Sequence, residues 1–190
     1  MPGQTNMISE QAKKGFDHIF KKAVIANITV SPDDICEIEL INNPEEISED
    51  EFSVLTISST FFRLITLFHF NSNDATKNYF VKSSGLDVEA EDNSAFLDVF
   101  QEFCNICCGA MNRELNKTYF FLGMSTPYVL LRQCSHFISA LDPGHVKHYR
   151  ITINHSLVLH ATLCICDYSD VDFTVDTSEV EDYTGELELF

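Results

Sequence analysis

The 190-residue chain reads as an α+β domain built on a mainly antiparallel β-sheet with two long helices. Three observations carry that expectation. The element order is helix, three extended runs, helices, then three or four further runs. Val146–Asn154 and Leu157–Cys166 alternate well enough to form an antiparallel pair about a short connection at Asn154-His155-Ser156. The strict strand–helix alternation of a nucleotide-binding α/β fold is missing.

In chain order, residues 8–25 place Ile8, Ala12, Phe16, Ile19, Phe20, Ala23 and Val24 at spacings of three and four, behind Ser9 as a cap. They predict an amphipathic helix with a Lys-rich outer face. Cys36–Ile41 and Phe52–Ser58 are short extended runs separated by the acidic, Pro-containing turn Asn42–Asp50. Phe61–Phe70 is apolar enough to lie in the middle of a sheet. Ser72–Ser84 predicts a short helix with Asp74 near its N-terminus and Gly85 as its stop.

The longest periodic segment runs from Asn93 to Asn116, a helix of roughly 36 Å at 1.5 Å per residue. One face carries Phe96, Val99, Phe100, Phe103, Cys107, Ala110 and Met111. A second carries Asp98, Glu102, Asn105, Gly109 and Asn112, which follow one another at steps of four, three, four and three. Beyond it, Tyr119–Gly123 and Tyr128–Arg132 read as extended around Pro127. Gln133–Leu141 stays open between strand and short helix, and Pro143-Gly144 marks a turn.

Composition bounds the function. At 21.6 kDa, with 45% hydrophobic residues including 16 Phe, the chain can bury a core without staples, and a disordered or linker-dominated chain is excluded. Lys and Arg total 12 against 29 Asp and Glu, a formal charge of −17. Such a surface repels nucleic-acid phosphates, so neither DNA nor RNA is an expected partner. Residues 167–190 hold nine of the acids and no Lys or Arg, and read as a mostly solvated tail or a docking segment for a basic partner. The domain is taken as residues 1–167 and the acidic tail as 168–190.

The seven Cys are unevenly spaced, which favours reduced thiols. With neither a secretory N-terminal pattern nor an apolar run of about 20 residues, a cytoplasmic location without membrane contact is expected.

Chemistry centres on the polar face of the long helix. Glu102 and Asn105 stand one turn apart, free to address something outside. An Asn amide cannot act as a general base, but it holds a water in one orientation, while a carboxylate can anchor a Lys or Arg of a second molecule. Gly109, a further turn on, removes a side chain that would obstruct close approach. Alone, such a stripe is usually a solvated face.

The run Asp98-x3-Glu102-x2-Asn105-x3-Gly109 on a long helix, with Pro127 following Asn105 after 21 residues, resembles the CheC/CheX/FliY family of chemotaxis phosphatases, whose Pro follows Asn after about 22. The resemblance implies a single-motif, CheX-like member that removes the aspartyl phosphate of a CheY-like response-regulator receiver in chemotaxis or other two-component signalling. It implies that Glu102 pairs with a receiver Lys and that Asn105 aligns the attacking water. Asp98 and Gly109 are carried over as binding positions, and Pro127 as a shape-setting residue. No intrinsic cofactor is implied, since Mg²⁺ belongs to the receiver; a homodimer is implied.

Other readings compete. One is a receiver-binding module without catalysis. A second is a redox or zinc cluster of Cys104, Cys107 and Cys108 with Cys164 and Cys166. A third draws on the seven His for a Cys-His nucleophilic pair, although His69 and His160 sit in apolar strand patterns that favour structural roles. Phe61-Phe62, Phe68, Phe70 and Phe120-Phe121 read as core or sheet surface rather than a base-stacking platform.

Overall fold

The structure is a computed structural model that describes residues 8–29, 31–83 and 93–176. Helix α1 (Glu10–Ile28) leads into β1 (Cys36–Ile41), β2 (Glu51–Ser58) and β3 (Phe62–Phe70). Helices α2 (Asp74–Ser83) and α3 (Asn93–Leu115) precede the short edge strands β4 (Gly123–Met124) and β5 (Tyr128–Leu131). A 3-10 helix (Arg132–Leu141) and the hairpin β6 (His145–Ile153) and β7 (Leu157–Asp167) follow. The seven-stranded sheet has the order β1-β6-β7-β3-β2-β4, with β5 also on β2, and its strand pairings are all antiparallel. The α+β architecture expected from the sequence is the one observed.

Local chemistry explains the ends. Ser9 caps α1, its hydroxyl accepting from the Ala12 amide at 3.0 Å. The β6–β7 turn holds positive φ at both Asn154 and His155, the backbone that matches the twist of a hairpin. Asn154 also accepts from the Ile35 amide at 2.9 Å and so pins the start of β1. The expected stop at Gly85 and the tail beyond residue 176 lie outside the described residues.

Two expectations need correcting, and one open reading is settled. Tyr119–Gly123 is not an extended run; only Gly123–Met124 is strand. The Thr118 and Tyr119 amides fold back onto the Leu115 carbonyl at 3.1 and 2.8 Å, and buried Tyr119 packs edge-on against Phe62, so the chain turns before it can extend. Phe120 and Phe121 consequently belong to neither core nor sheet: Phe121 is 98% exposed at φ 63. The segment left open between strand and helix is the 3-10 helix, ended by Asp142 in the left-handed region.

Alternation divides the sheet into two faces. One receives α1 and α3 over an aromatic layer, in which Phe20 stacks on Phe68 and Tyr149 while Phe103 and Phe100 meet Phe68 and Phe70. The chain after β7 joins this layer. Ile8 bridges Val171, and Phe173 packs on Phe16 so closely that a Cβ on Gly15 would stand 2.8 Å from its ring. The opposite face is smaller, with Phe52, Val54, Ile65, Leu67, Cys164 and Cys166 partly covered by Cys134 and Ile138 of the 3-10 helix.

That second face carries a buried histidine layer. His69 on β3 stands directly across from His160 on β7, and both are buried, as the strand patterns suggest. His160 Nδ1 lies 2.6 Å from Glu49 Oε1, while His69 Nε2 and His148 Nδ1 share the Thr162 hydroxyl at 3.1 and 2.9 Å. Burial holds the His69 imidazole down to about 4, outweighing the attraction of Glu49. Burial also raises the Glu49 carboxyl, but the His160 hydrogen bond prevails and leaves it below its usual range.

Because His69 binds its proton more weakly in the native state than in the unfolded chain, its contribution to stability is full above about pH 6.5 and falls away as pH drops towards 4. The expected loss across that window is up to about 3 kcal/mol. Urea denaturation at stepped pH should show this slope, and His69→Phe should flatten it.

Candidate functional site

Helix α3 is fixed by what it buries. Phe96, Phe100, Phe103, Cys104, Cys107, Cys108, Met111 and Leu115 all face the sheet or α1. The Cys107 thiol donates to the Ala23 carbonyl of α1 at 3.6 Å. Burial raises the pKa of all three cysteines, Cys108 to about 12, so they remain protonated at neutral pH and pack as small hydrophobes.

The cysteine alternatives are overturned by the sheet itself. Cys164 and Cys166 face its opposite side, in the smaller apolar cluster, and cannot join the α3 thiols around one ion. Among the described residues no group of three His, Cys, Asp or Glu side chains is placed to hold a metal. His69 and His160 are likewise divided from the α3 thiols by the sheet, so no Cys-His pair forms there.

With the apolar stripe turned inward, the polar stripe turns outward. Asp98 and Glu102 are exposed, while Asn105, Gly109 and Asn112 are half-buried. Side chains three apart on a helix have Cβ atoms about 5–6 Å apart, so Glu102 and Asn105 present adjoining groups. Neither has a hydrogen bond or ion pair with another described residue. A Cβ on Gly109 would meet only Arg113 Nη1, at 3.7 Å, so nothing in the fold demands glycine there. The structure thus places four of the five singled-out positions on one helical stripe.

Pro127, the fifth, lies in the sheet edge beside that helix. It interrupts the strand between β4 and β5, where a residue without an N–H cannot continue a ladder. Ser125 repairs the gap: its amide donates to the Thr56 carbonyl at 3.0 Å and its hydroxyl accepts from the Thr56 amide at 2.9 Å. Pro127 is half-buried in a shaping position.

One member of the stripe escaped the sequence reading. Ile106 is 42% exposed and sits four residues beyond Glu102, between Asn105 and Gly109. Helical arithmetic alone puts it beside the acid and the amide, so the clue was present. An apolar side chain there offers a small dry contact next to the polar pair.

Gly109→Ala tests whether the gap is kept for something outside the chain. Replacing a mid-helix glycine with room for a methyl should raise stability by about 1 kcal/mol, read by thermal or urea unfolding.

No protein-family model matches the chain, and no curated protein does either. Solved structures do. The CheX chemotaxis protein of Vibrio vulnificus superposes with a TM-score of 0.60 at 14% identity, over 80% of this chain and 99% of that one. CheX from Desulfovibrio desulfuricans gives 0.56 at 16% identity, covering 80% and 99%. The CheX–CheY–BeF3–Mg²⁺ complex from Borrelia burgdorferi gives 0.58 at 10% identity, covering 81% and 97%. On these superpositions, which cover most of the chain, it has a CheC/CheX-type fold.

Proposed function

We propose that the outward stripe of α3 docks on a phosphorylated, CheY-like receiver domain and promotes hydrolysis of its aspartyl phosphate. The observation that carries this reading is the adjoining acid and amide at Glu102 and Asn105, held outward on a rigid helix and without partners among the described residues. The CheX fold supports it, as does the fact that one structure of that fold holds CheY.

An acyl phosphate is already activated, so the chemistry needs alignment more than a strong base. Glu102 grips a Lys of the receiver through a charge-assisted hydrogen bond and sets the orientation of the complex. The Asn105 amide holds a water in line with the phosphorus. The water oxygen bonds to phosphorus as the bond to the aspartyl oxygen breaks; the receiver regains its carboxylate and inorganic phosphate leaves. Mg²⁺, bound by the receiver, neutralises phosphate charge. Gly109 and Ile106 permit close, dry approach beside that point, Asp98 extends the contact by one turn, and Pro127 shapes the neighbouring edge.

The same reading includes two further points. Acting on a receiver implies a cytoplasmic setting. Pairing of two copies draws support from the sheet's edges at β1 and β4/β5, which carry no further strand among the described residues.

Decay of a phosphorylated receiver, followed with and without the protein, tests the proposal. Acceleration is expected. Asn105→Ala should lower kcat about 100-fold by releasing the water, and Glu102→Ala should act mainly through KM. Binding without acceleration would leave a receiver-binding module and refute catalysis.

A further inference from the structure

We propose that the cleft between the 3-10 helix Arg132–Leu141 and the second face of the sheet binds a small organic carboxylate with an apolar body. The cleft encloses about 730 Å³, within the range of small-molecule sites. It lies across the sheet from α3, so it is separate from the receiver-docking stripe.

Its walls combine two chemistries. Ile47, Ile138, Pro143 and Val146 supply apolar surface. Arg132, His136 and His148 supply nitrogen donors from the 3-10 helix and from β6. A site with apolar walls and a few convergent donors suits a ligand with one acceptor head and a hydrophobic remainder.

The histidines settle what the head must be. Thr162 has one hydroxyl hydrogen and two lone pairs and stands between His69 Nε2 and His148 Nδ1; spending that hydrogen within the layer makes one ring an acceptor and the other a donor. His69 is 2% exposed and its Nδ1 has no partner. An orphaned buried N–H is rarer than an orphaned acceptor, which selects a lone pair at that nitrogen. His69 therefore donates from Nε2 to Thr162, and Thr162 donates to His148 Nδ1. The His148 Nε2–H is left as a donor on a residue that lines the cleft, and a carboxylate, which only accepts, matches it.

Charge points the same way. Glu49 is engaged by His160 and Glu46 by Arg150; Glu45 also lines the cleft, a single exposed carboxylate set against Arg132, His136 and His148. Arg132 spends one N–H on the Ser48 carbonyl at 3.1 Å and has no carboxylate partner among the described residues. Its planar fork is free to take a carboxylate through two hydrogen bonds. Arg132 is exposed, so a carboxylate gains on an uncharged ligand by the charge-assisted pair it forms with the guanidinium. A metal ion fits poorly, since no three ligating side chains among the described residues converge.

The test titrates the full chain with three probes: 4-phenylbutyrate, the isosteric 4-phenylbutanamide and acetate. Imidazole C–H resonances and calorimetry provide the readouts. The carboxylate should shift the His148 and His69 rings saturably and bind about 10-fold or more tighter than either the amide or acetate. Arg132→Gln and His148→Phe, two substitutions on separate elements, should each weaken 4-phenylbutyrate about 10-fold. Unmoved histidine resonances would overturn the proposal. So would equal binding of the amide or of acetate, or native affinity in both variants.

Discussion

The rotational setting of α3 is the constraint on which everything else rests. Eight residues of one stripe, Phe96 through Leu115, are buried against the sheet and α1. Burying a large apolar side chain is worth about 1.5–3 kcal/mol, so turning the helix by even one residue's angle would sacrifice several such terms at once. A thiol hydrogen bond from Cys107 to α1 supports the same phase. An outward Glu102 and Asn105 are the geometric remainder of that packing. Their lack of partners among the described residues follows from where the apolar residues had to go.

The sheet gives its two faces different physics. The helix-covered face is aromatic and closed, and its layer runs from Phe173 through Phe16 to Phe62 without a charged group intervening. The other face interleaves hydrophobes with His69, His148, His160 and Thr162, because alternate positions of β3, β6 and β7 there carry polar residues in register. Among the described residues the 3-10 helix Arg132–Leu141 and the segment at Pro44, Glu45 and Ile47 cover it in part. That thin cover leaves the cleft, while the closed face makes a stiff platform for α3. A stiff platform suits a mechanism based on alignment, in which a small displacement of the amide costs rate. The charge of −17 adds a long-range preference for partners that present cationic surface, such as the Lys that Glu102 is proposed to meet.

Much of this was legible in the sequence where the pattern is local. Six apolar positions of α1 from Ala12 to Val24, Ser9 as its cap, the β6–β7 hairpin at Asn154 and the inward face of α3 all follow from spacing and turn chemistry. The stripe from Asp98 to Gly109 was readable for the same reason, and Ile106 should have been read with it. What failed depended on partners distant in the chain. Tyr119 turns the backbone because Phe62 is there to receive it, which no local window contains. The cleft assembles residues 44 to 162 through strand register, so its donors look like unrelated polar residues in sequence. The side of the sheet on which Cys164 and Cys166 fall is likewise a matter of register, and it decided against a shared site with the α3 thiols.

On the proposed reading, the outward stripe of α3 is an interface. Isoleucine methyl NMR reports on it without altering the chain, because Ile106 lies within the stripe and Ile138 lies across the sheet. On titration with a receiver activated by beryllofluoride and Mg²⁺, the Ile106 methyl should shift saturably while that of Ile138 stays in place. An Ile106 methyl that does not move, alongside shifts at Ile138, would contradict the account.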